Sequence, residues 1–405
     1  MPRAKKIKPD DGALELIGCI TELAVPPPAP AKKTKLIKKK VKEPKSGESA
    51  VVVKTPVRKG IYVSSGCTIL DLTCTGTTKG FCTAGHTVNI IGDRNSGKTA
   101  LSLAGAAETE FRVPDYFEHK FIDLEQAMNF DISGLFGRKF ADKLEVINPE
   151  ISLEWSIESI GTKMLAWMAH RPQLFILDSV DAMQPEEEIK AILAGQNVER
   201  GPFGGPAPKA LTVFFRSIIP AVAKSGSFLF VLSRAKDNLG FGAKFAPKTR
   251  AGGSSLGFNA FIEMWLAPHE QIKEGGSMVG RWTTAKIERS KVNGANKREC
   301  LFPILPKYGI DNTRANVRWL LDEGVIQMAE PITIKTAKAL DIEPIKAGSY
   351  DLNNISINYV GTDPLGYIEA NGLCDHLTAC VKEHWDAKER DLHEKTFGGR
   401  ESRYG

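Results

Sequence analysis

From about residue 60 onward the apolar positions fall into short runs separated by stretches of helical period. Thr87–Ile91, Lys120–Asp123, Leu144–Ile147, Leu174–Asp178, Phe228–Ser233, Ala260–Ala267 and Thr284–Arg289 read as strands, and residues 99–110, 153–169 and 210–225 as helices. Such alternation predicts an α/β domain with a mostly parallel central sheet. No internal repeat is visible. The expected division is a 1–60 arm, a 61–330 core and a 331–405 extension, partly helical across Leu365–Trp385.

One local pattern carries chemistry. Gly92-Asp93-Arg94-Asn95-Ser96-Gly97-Lys98-Thr99 fits G-x-x-x-x-G-K-[ST], with a predicted strand before it and a predicted helix after it. Strand, glycine loop and helix N-terminus together make an anion cradle whose backbone N–H groups face phosphates. Lys98 then reaches the outer phosphates, and the Thr99 hydroxyl ligates Mg²⁺. The ligand implied is a nucleoside triphosphate, ATP with Mg²⁺.

Two predicted strands end in acids. Asp178 closes an apolar run, the place from which a carboxylate holds a Mg²⁺ shell. Asp123 and Glu125 follow another run, and either can orient the water that attacks a γ-phosphate; spacing alone does not choose between them.

Charge sharpens the picture. The net charge of +6 over 405 residues is unevenly spread. Residues 1–60 carry 15 Lys and Arg against 6 Asp and Glu, so the rest of the chain is mildly acidic. That arm holds Pro26-Pro27-Pro28-Ala29-Pro30 and a lysine block at 32–40, a composition too poor in apolar surface to offset chain entropy. It suits a sequence-independent grip on a phosphate backbone. No run approaches the length needed to span a bilayer, and the seven cysteines form no C-x-x-C pair. A membrane role is not expected; a reducing, cytoplasmic setting is, at a nucleoid or a viral replication site. His376, His384 and His393 read as surface residues, and Trp155, Trp167, Trp265 and Trp319 as packing residues.

In order along the chain, these segments resemble the RecA-type recombinases, above all the phage-encoded ones, over roughly residues 60–330. Ser65–Leu72 is similar to the segment before the family's phosphate loop, Phe121–Ala127 to the one bearing its catalytic glutamate, and Leu177–Ala182 to its Mg²⁺-side acid motif. Ser233–Gly240 and Ala251–Leu256 resemble the two ends of its second DNA-binding loop. Lys307–Asp311 and Trp319–Ile326 resemble the end of the phage-type core.

The resemblance implies Glu125 as the catalytic carboxylate and a helical filament of self-associated subunits with ATP between them. It implies a first DNA loop near 183–209, including Lys209. A second at about 236–255 would include Lys236, Phe241, Lys244, Phe245, Lys248 and Arg250, closed by Gly252 and Gly253. Cations interleaved with aromatics suit single-stranded DNA. Arg289 and Lys291 would reach a neighbour's γ-phosphate in trans. The implied function is homologous pairing and strand exchange between single- and double-stranded DNA, with single-strand-binding or loader proteins as further partners. One position departs: Arg234 stands where the family usually has a γ-phosphate-sensing Gln. The alternatives on the same core are a ring-forming helicase or regulatory ATPase, and a DNA-binding mediator with little turnover.

Removing residues 1–60 is expected to weaken single-stranded DNA binding and to flatten its salt dependence, read as the slope of log K against log salt in anisotropy titrations. An unchanged slope would assign the arm another task.

Overall fold

Both faces of a parallel sheet are covered by helices, so its central strands are almost wholly buried; Thr87–Gly92, with all six positions buried, shows this most plainly. The computed structural model describes residues 60–196, 206–237, 248–250, 256–257, 259–292, 297–325, 350–352, 355–357 and 364–397. In chain order the elements are β1 (Tyr62–Val63), α1 (Thr68–Thr75), β2 (Cys82–Thr83), β3 (Thr87–Gly92), α2 (Lys98–Arg112) and β4 (Glu118–Asp123). Next come α3 (Ile132–Phe136), α4 (Arg138–Ala141), β5 (Leu144–Ile147), α5 (Ile157–His170), β6 (Gln173–Asp178), α6 (Glu186–Leu193), α7 (Ala207–Ser225) and β7 (Phe228–Asp237). The chain continues through β8 (Lys248–Arg250), β9 (Ile262–Glu274), β10 (Ser277–Ser290), β11 (Arg298–Leu305), β12 (Gly309–Ile310) and α8 (Asn312–Asp322). It ends in β13 (Tyr350–Leu352), β14 (Ile355–Ile357), α9 (Pro364–Ala370) and α10 (Cys374–Phe397).

Ten strands form one sheet, ordered β12-β11-β10-β9-β3-β7-β6-β4-β5 with β8 paired to β7. The six from β9 to β5 are mutually parallel, which fits the expected α/β class. Side chains alternate between the two faces. Phe228, Phe230 and Leu232 of β7 join one core cluster with α1 and α2, while Leu229 and Val231 join the other with α5 and α7. Register then fixes the working edge: Asp123 lies opposite Asp178, and Gly92 opposite Arg234.

Several elements go beyond the sequence reading. β9 and β10 run on past the expected Ala267 and start before Thr284, as a hairpin turning at Gly275 and Gly276, both at positive φ. The β9 side of that extension is mostly exposed and polar, and the β10 side carries only scattered apolar residues, so no apolar run marks it. β11 was not expected, and it lengthens the sheet antiparallel to β10 despite Pro303. The Leu365–Trp385 periodicity resolves into two helices broken at Gly372, whose φ is 68°. Ile368, Leu377 and Val381 from these helices are buried in the same cluster as α1 and β11, and Trp385 packs on Trp319 with ring centroids 5.9 Å apart. Trp155 and Trp167 pack against the opposite cluster.

Where α2 ends, Glu110 is 3% exposed and accepts from His119 Nε2 at 3.1 Å, from the Asp115 N–H at 3.3 Å and from Lys143. Burial works to raise its carboxyl, but the bonds from His119 and Lys143 outweigh it and hold the pKa at about 2, below the usual 4.5. A carboxyl depressed in this way contributes stability above its unfolded value and loses it as the pH falls toward the folded one. Glu110→Gln should therefore lower the urea midpoint at neutral pH, with the gap to wild type closing between pH 4.5 and about 2; a pH-independent gap would contradict this.

If α10 is integral to the core, Leu377→Ala should cost about 2–4 kcal/mol in urea unfolding. An unchanged midpoint would make the helix an appendage.

Candidate functional site

Steric constraints shape the phosphate loop. A Cβ on Gly92 would lie 2.7 Å from the Leu266 carbonyl oxygen, and one on Gly97 2.2 Å from Ile304 Cδ1. Gly97 also sits at φ 88° and Asn95 at φ 60°, left-handed values that glycine and asparagine tolerate best. α2 starts directly after Gly97 with no side-chain cap, so its first N–H groups are not capped by a side chain and are free to face an anion. Ser96 Oγ is buried without a hydrogen-bond partner among the described residues, as a hydroxyl facing a phosphate would be. Lys98 Nζ arches over the loop to the carbonyls of Gly92 at 2.9 Å and Asp93 at 2.8 Å. Burial lowers its pKa, an effect the nearby Asp178 and Glu125 carboxylates oppose.

The three acids have separate surroundings. Asp123 is 2% exposed and spends its carboxylate on the backbone N–H groups of Ala127 and Met128, at 3.3 and 2.8 Å. Asp178 accepts from the Thr99 hydroxyl at 2.7 Å; burial raises its pKa, the Thr99 bond opposes this, and the charges of Glu125 and Asp123 raise it further. Glu125 is held by Arg234, whose Nε and Nη2 donate to its two oxygens at 3.2 and 2.7 Å, and by the Ser179 hydroxyl. Burial would raise the Glu125 carboxyl, but Arg234 and Ser179 bring it below its ordinary value.

Thr99 and Asp178 present two hard oxygen donors side by side, the set that Mg²⁺ takes when a substrate's phosphates complete its shell. No group of three or more His, Cys, Asp or Glu among the described residues is placed to hold a metal without such help.

Beside the loop lies a cavity of about 700 Å³, within the usual range for small-ligand sites. Ala127, Phe130 and Leu135 line one wall, Ile304 and Pro306 the other. A slightly larger cavity, about 790 Å³, lies between the β9–β10 hairpin, α8 and α9. Its Arg314 and Arg318 are already engaged by Asp311, Glu274, Asp322 and Glu270, and it lacks the loop's unfilled donors.

The remaining candidates divide. Arg289 and Lys291 are not brought to their own phosphate loop. Gly92 pairs with Leu266, and Leu266 with Ala285, so Arg289 stands four residues, roughly 13 Å, toward the opposite edge. There Arg289 Nη1 donates to the Gly257 carbonyl at 2.8 Å. Lys209 is exposed in the first turn of α7, a helix that runs back toward the start of β7, so it stands on the loop's side of the sheet. Lys236 belongs to the β7 extension, and Lys248 and Arg250 to β8; Ala235 pairs with Arg250, Lys236 with Thr249 and Asp237 with Lys248. Phe241, Lys244, Phe245, Gly252 and Gly253 lie outside the described residues, as do residues 1–59 and 197–205. Sequence reasoning missed Ser179, Phe130, Ile304 and Pro306, which carry no local signature.

The family described as the RecA N-terminal domain matches residues 35–311, more than half of the chain, beginning inside the basic arm. Protein RecA of Petrotoga mobilis is 27% identical over 270 residues, covering 65% of this chain and 68% of the relative. Protein RecA of Syntrophobacter fumaroxidans is 24% identical over 283 residues, covering 69% and 75%. Protein RecA of Bacillus anthracis is 24% identical over 330 residues, covering 81% and 85%. With a phosphate loop on β3, acids at the ends of β4 and β6 and a match of this extent, the chain belongs to the RecA family.

Proposed function

We propose that, within the recombination and repair role of its family, this chain is a DNA-dependent ATPase that polymerises on single-stranded DNA and promotes pairing and strand exchange with a duplex. The observation that carries the reading is the split site. One edge of the sheet holds Lys98, Thr99, Asp178 and Glu125, while Arg289 and Lys291 stand at the other edge. A second copy stacked head to tail supplies the missing cations, and such heterologous contacts build open filaments when the rotation does not close.

In this arrangement the first turn of α2 and Lys98 hold the outer phosphates of ATP. Thr99 and Asp178 would hold Mg²⁺, which supplies charge neutralisation at those oxygens when bound. Glu125 orients the attacking water, and the neighbour's Arg289 and Lys291 stabilise charge on the transferred phosphoryl group. The β7–β8 ribbon extends from the same edge, the side on which DNA would lie. No helix among the described residues is long and apolar enough to cross a membrane.

A second reading has its own support. The Arg234–Glu125 ion pair occupies the carboxylate that turnover needs, as a DNA-binding mediator with little hydrolysis would tolerate. Phosphate release with and without single-stranded DNA separates the two. A recombinase is expected to show DNA-stimulated turnover. Lys98→Ala should abolish it, and Glu125→Ala should reduce kcat by about 10²–10⁴-fold while ATP still binds. DNA binding with no stimulated turnover, indifferent to Lys98→Ala, would favour the mediator.

A further inference from the structure

Residues 123–128 form a tight turn at the end of β4, and one carboxylate closes it. Asp123 is 2% exposed, and its two oxygens accept one each from the backbone N–H groups of Ala127 at 3.3 Å and Met128 at 2.8 Å. Inside the turn the Gln126 N–H returns to the Asp123 carbonyl at 3.4 Å, and Gln126 takes a left-handed φ of 50°. A non-glycine residue holds that conformation only where its surroundings enforce it. Leu124 and Glu125 donate their N–H groups to the Asp178 carbonyl at 2.7 and 3.3 Å, which ties the turn to the end of β6. Gln126 Nε2 donates to the Pro149 carbonyl at 2.9 Å, beyond β5. Glu125 therefore stands between the two ends that Asp123 draws together.

Two N–H donors converging on one side chain need two acceptor oxygens, which a carboxylate has; an amide in its place offers one acceptor and turns an NH₂ against the second donor. We propose that Asp123 is a positioning residue for Glu125: its carboxylate sets the path of the turn on which Glu125 stands, and so where the Glu125 side chain starts. This rests on the ATPase reading above and deepens it, because that reading gives Asp123 no contact with the ligand. Arg234 and Ser179 hold the far end of Glu125, and Asp123 holds its root. The same turn carries Ala127 to the wall of the cavity beside the phosphate loop. Asp123 also lies opposite Asp178 in register, and its charge helps raise the Asp178 carboxyl. Position and charge predict different outcomes when Asp123 is replaced.

Phosphate release with single-stranded DNA tests this on full-length wild type, Asp123→Ala, Asp123→Asn, Glu125→Ala and the two double variants. A misplacement of about 1 Å in a catalytic group costs on the order of 10²-fold, so Asp123→Ala should lose about that much in kcat. Asp123→Asn keeps one acceptor and should lose about tenfold. The KM for ATP and the Mg²⁺ half-saturation should both stay within about threefold, the mark of an effect on the chemical step. In the Glu125→Ala background neither Asp123 substitution should lower the residual rate further, because the group being positioned is gone. Amide hydrogen exchange should quicken at residues 124–128 in both Asp123 variants and stay slow in β3 and β6, which reports a folded sheet. Wild-type turnover in Asp123→Ala, a loss that persists undiminished without Glu125, or a shifted Mg²⁺ requirement at unchanged kcat would overturn the positioning role alone. Wild type with no DNA-stimulated turnover would overturn the ATPase reading, and this proposal with it.

Discussion

Parallel strand register is the constraint on which everything else rests. β3, β4, β6 and β7 pair so that Gly92, Asp123, Asp178 and Arg234 arrive at one edge of the sheet, though the chain leaves and re-enters that sheet between each of them. A slip of one residue in any pair would turn an apolar side chain toward the loop and an acid into one of the two core layers. The apolar strands thus do two jobs with one geometry. They fill both cores with alternating Phe, Leu, Ile and Val, and they bring their last residues to one edge of the sheet.

That convergence is electrostatically costly, and the structure shows how the cost is offset. Three carboxylates crowd the ends of β4 and β6 beside the half-buried Lys98, and each has a distinct partner set. Asp123 is held by backbone N–H groups, Asp178 by Thr99, and Glu125 by Arg234 and Ser179. Burial pushes the Asp178 pKa up and the charges of Glu125 and Asp123 add to it, a load that a bound cation would relieve. Lys98 and Arg234 carry the opposing charge, and both are arginine or lysine side chains long enough to change acceptor without moving the backbone.

Much of this was legible in the sequence, for identifiable reasons. The phosphate loop is eight contiguous residues with steric rules, and the acids at Asp123, Glu125 and Asp178 follow apolar runs that could only be buried strands. The choice between Asp123 and Glu125 was not decidable from spacing; the backbone bonds to Asp123 give it a structural task. What remained hidden depends on contacts between distant segments. Ile304 and Pro306 wall the cavity from β11 and the turn beyond it, and β11 itself is masked by charged residues and Pro303. Arg234 was visible as an odd residue at a strand end, but its grip on Glu125 joins two separate strands. The C-terminal helices showed their period while hiding their destination, because Leu377 and Val381 look the same whether they face solvent or a core.

Under the proposed function, the split between the loop edge and the Arg289–Lys291 edge leaves one copy of the chain with an incomplete site. Electron microscopy of the protein with single-stranded DNA and a slowly hydrolysed ATP analogue tests this most directly. The expected image is an open helical filament in which Arg289 and Lys291 of one subunit face the Lys98 loop of the next. Isolated subunits, sealed rings, or a filament with those cations remote from every nucleotide would contradict the account.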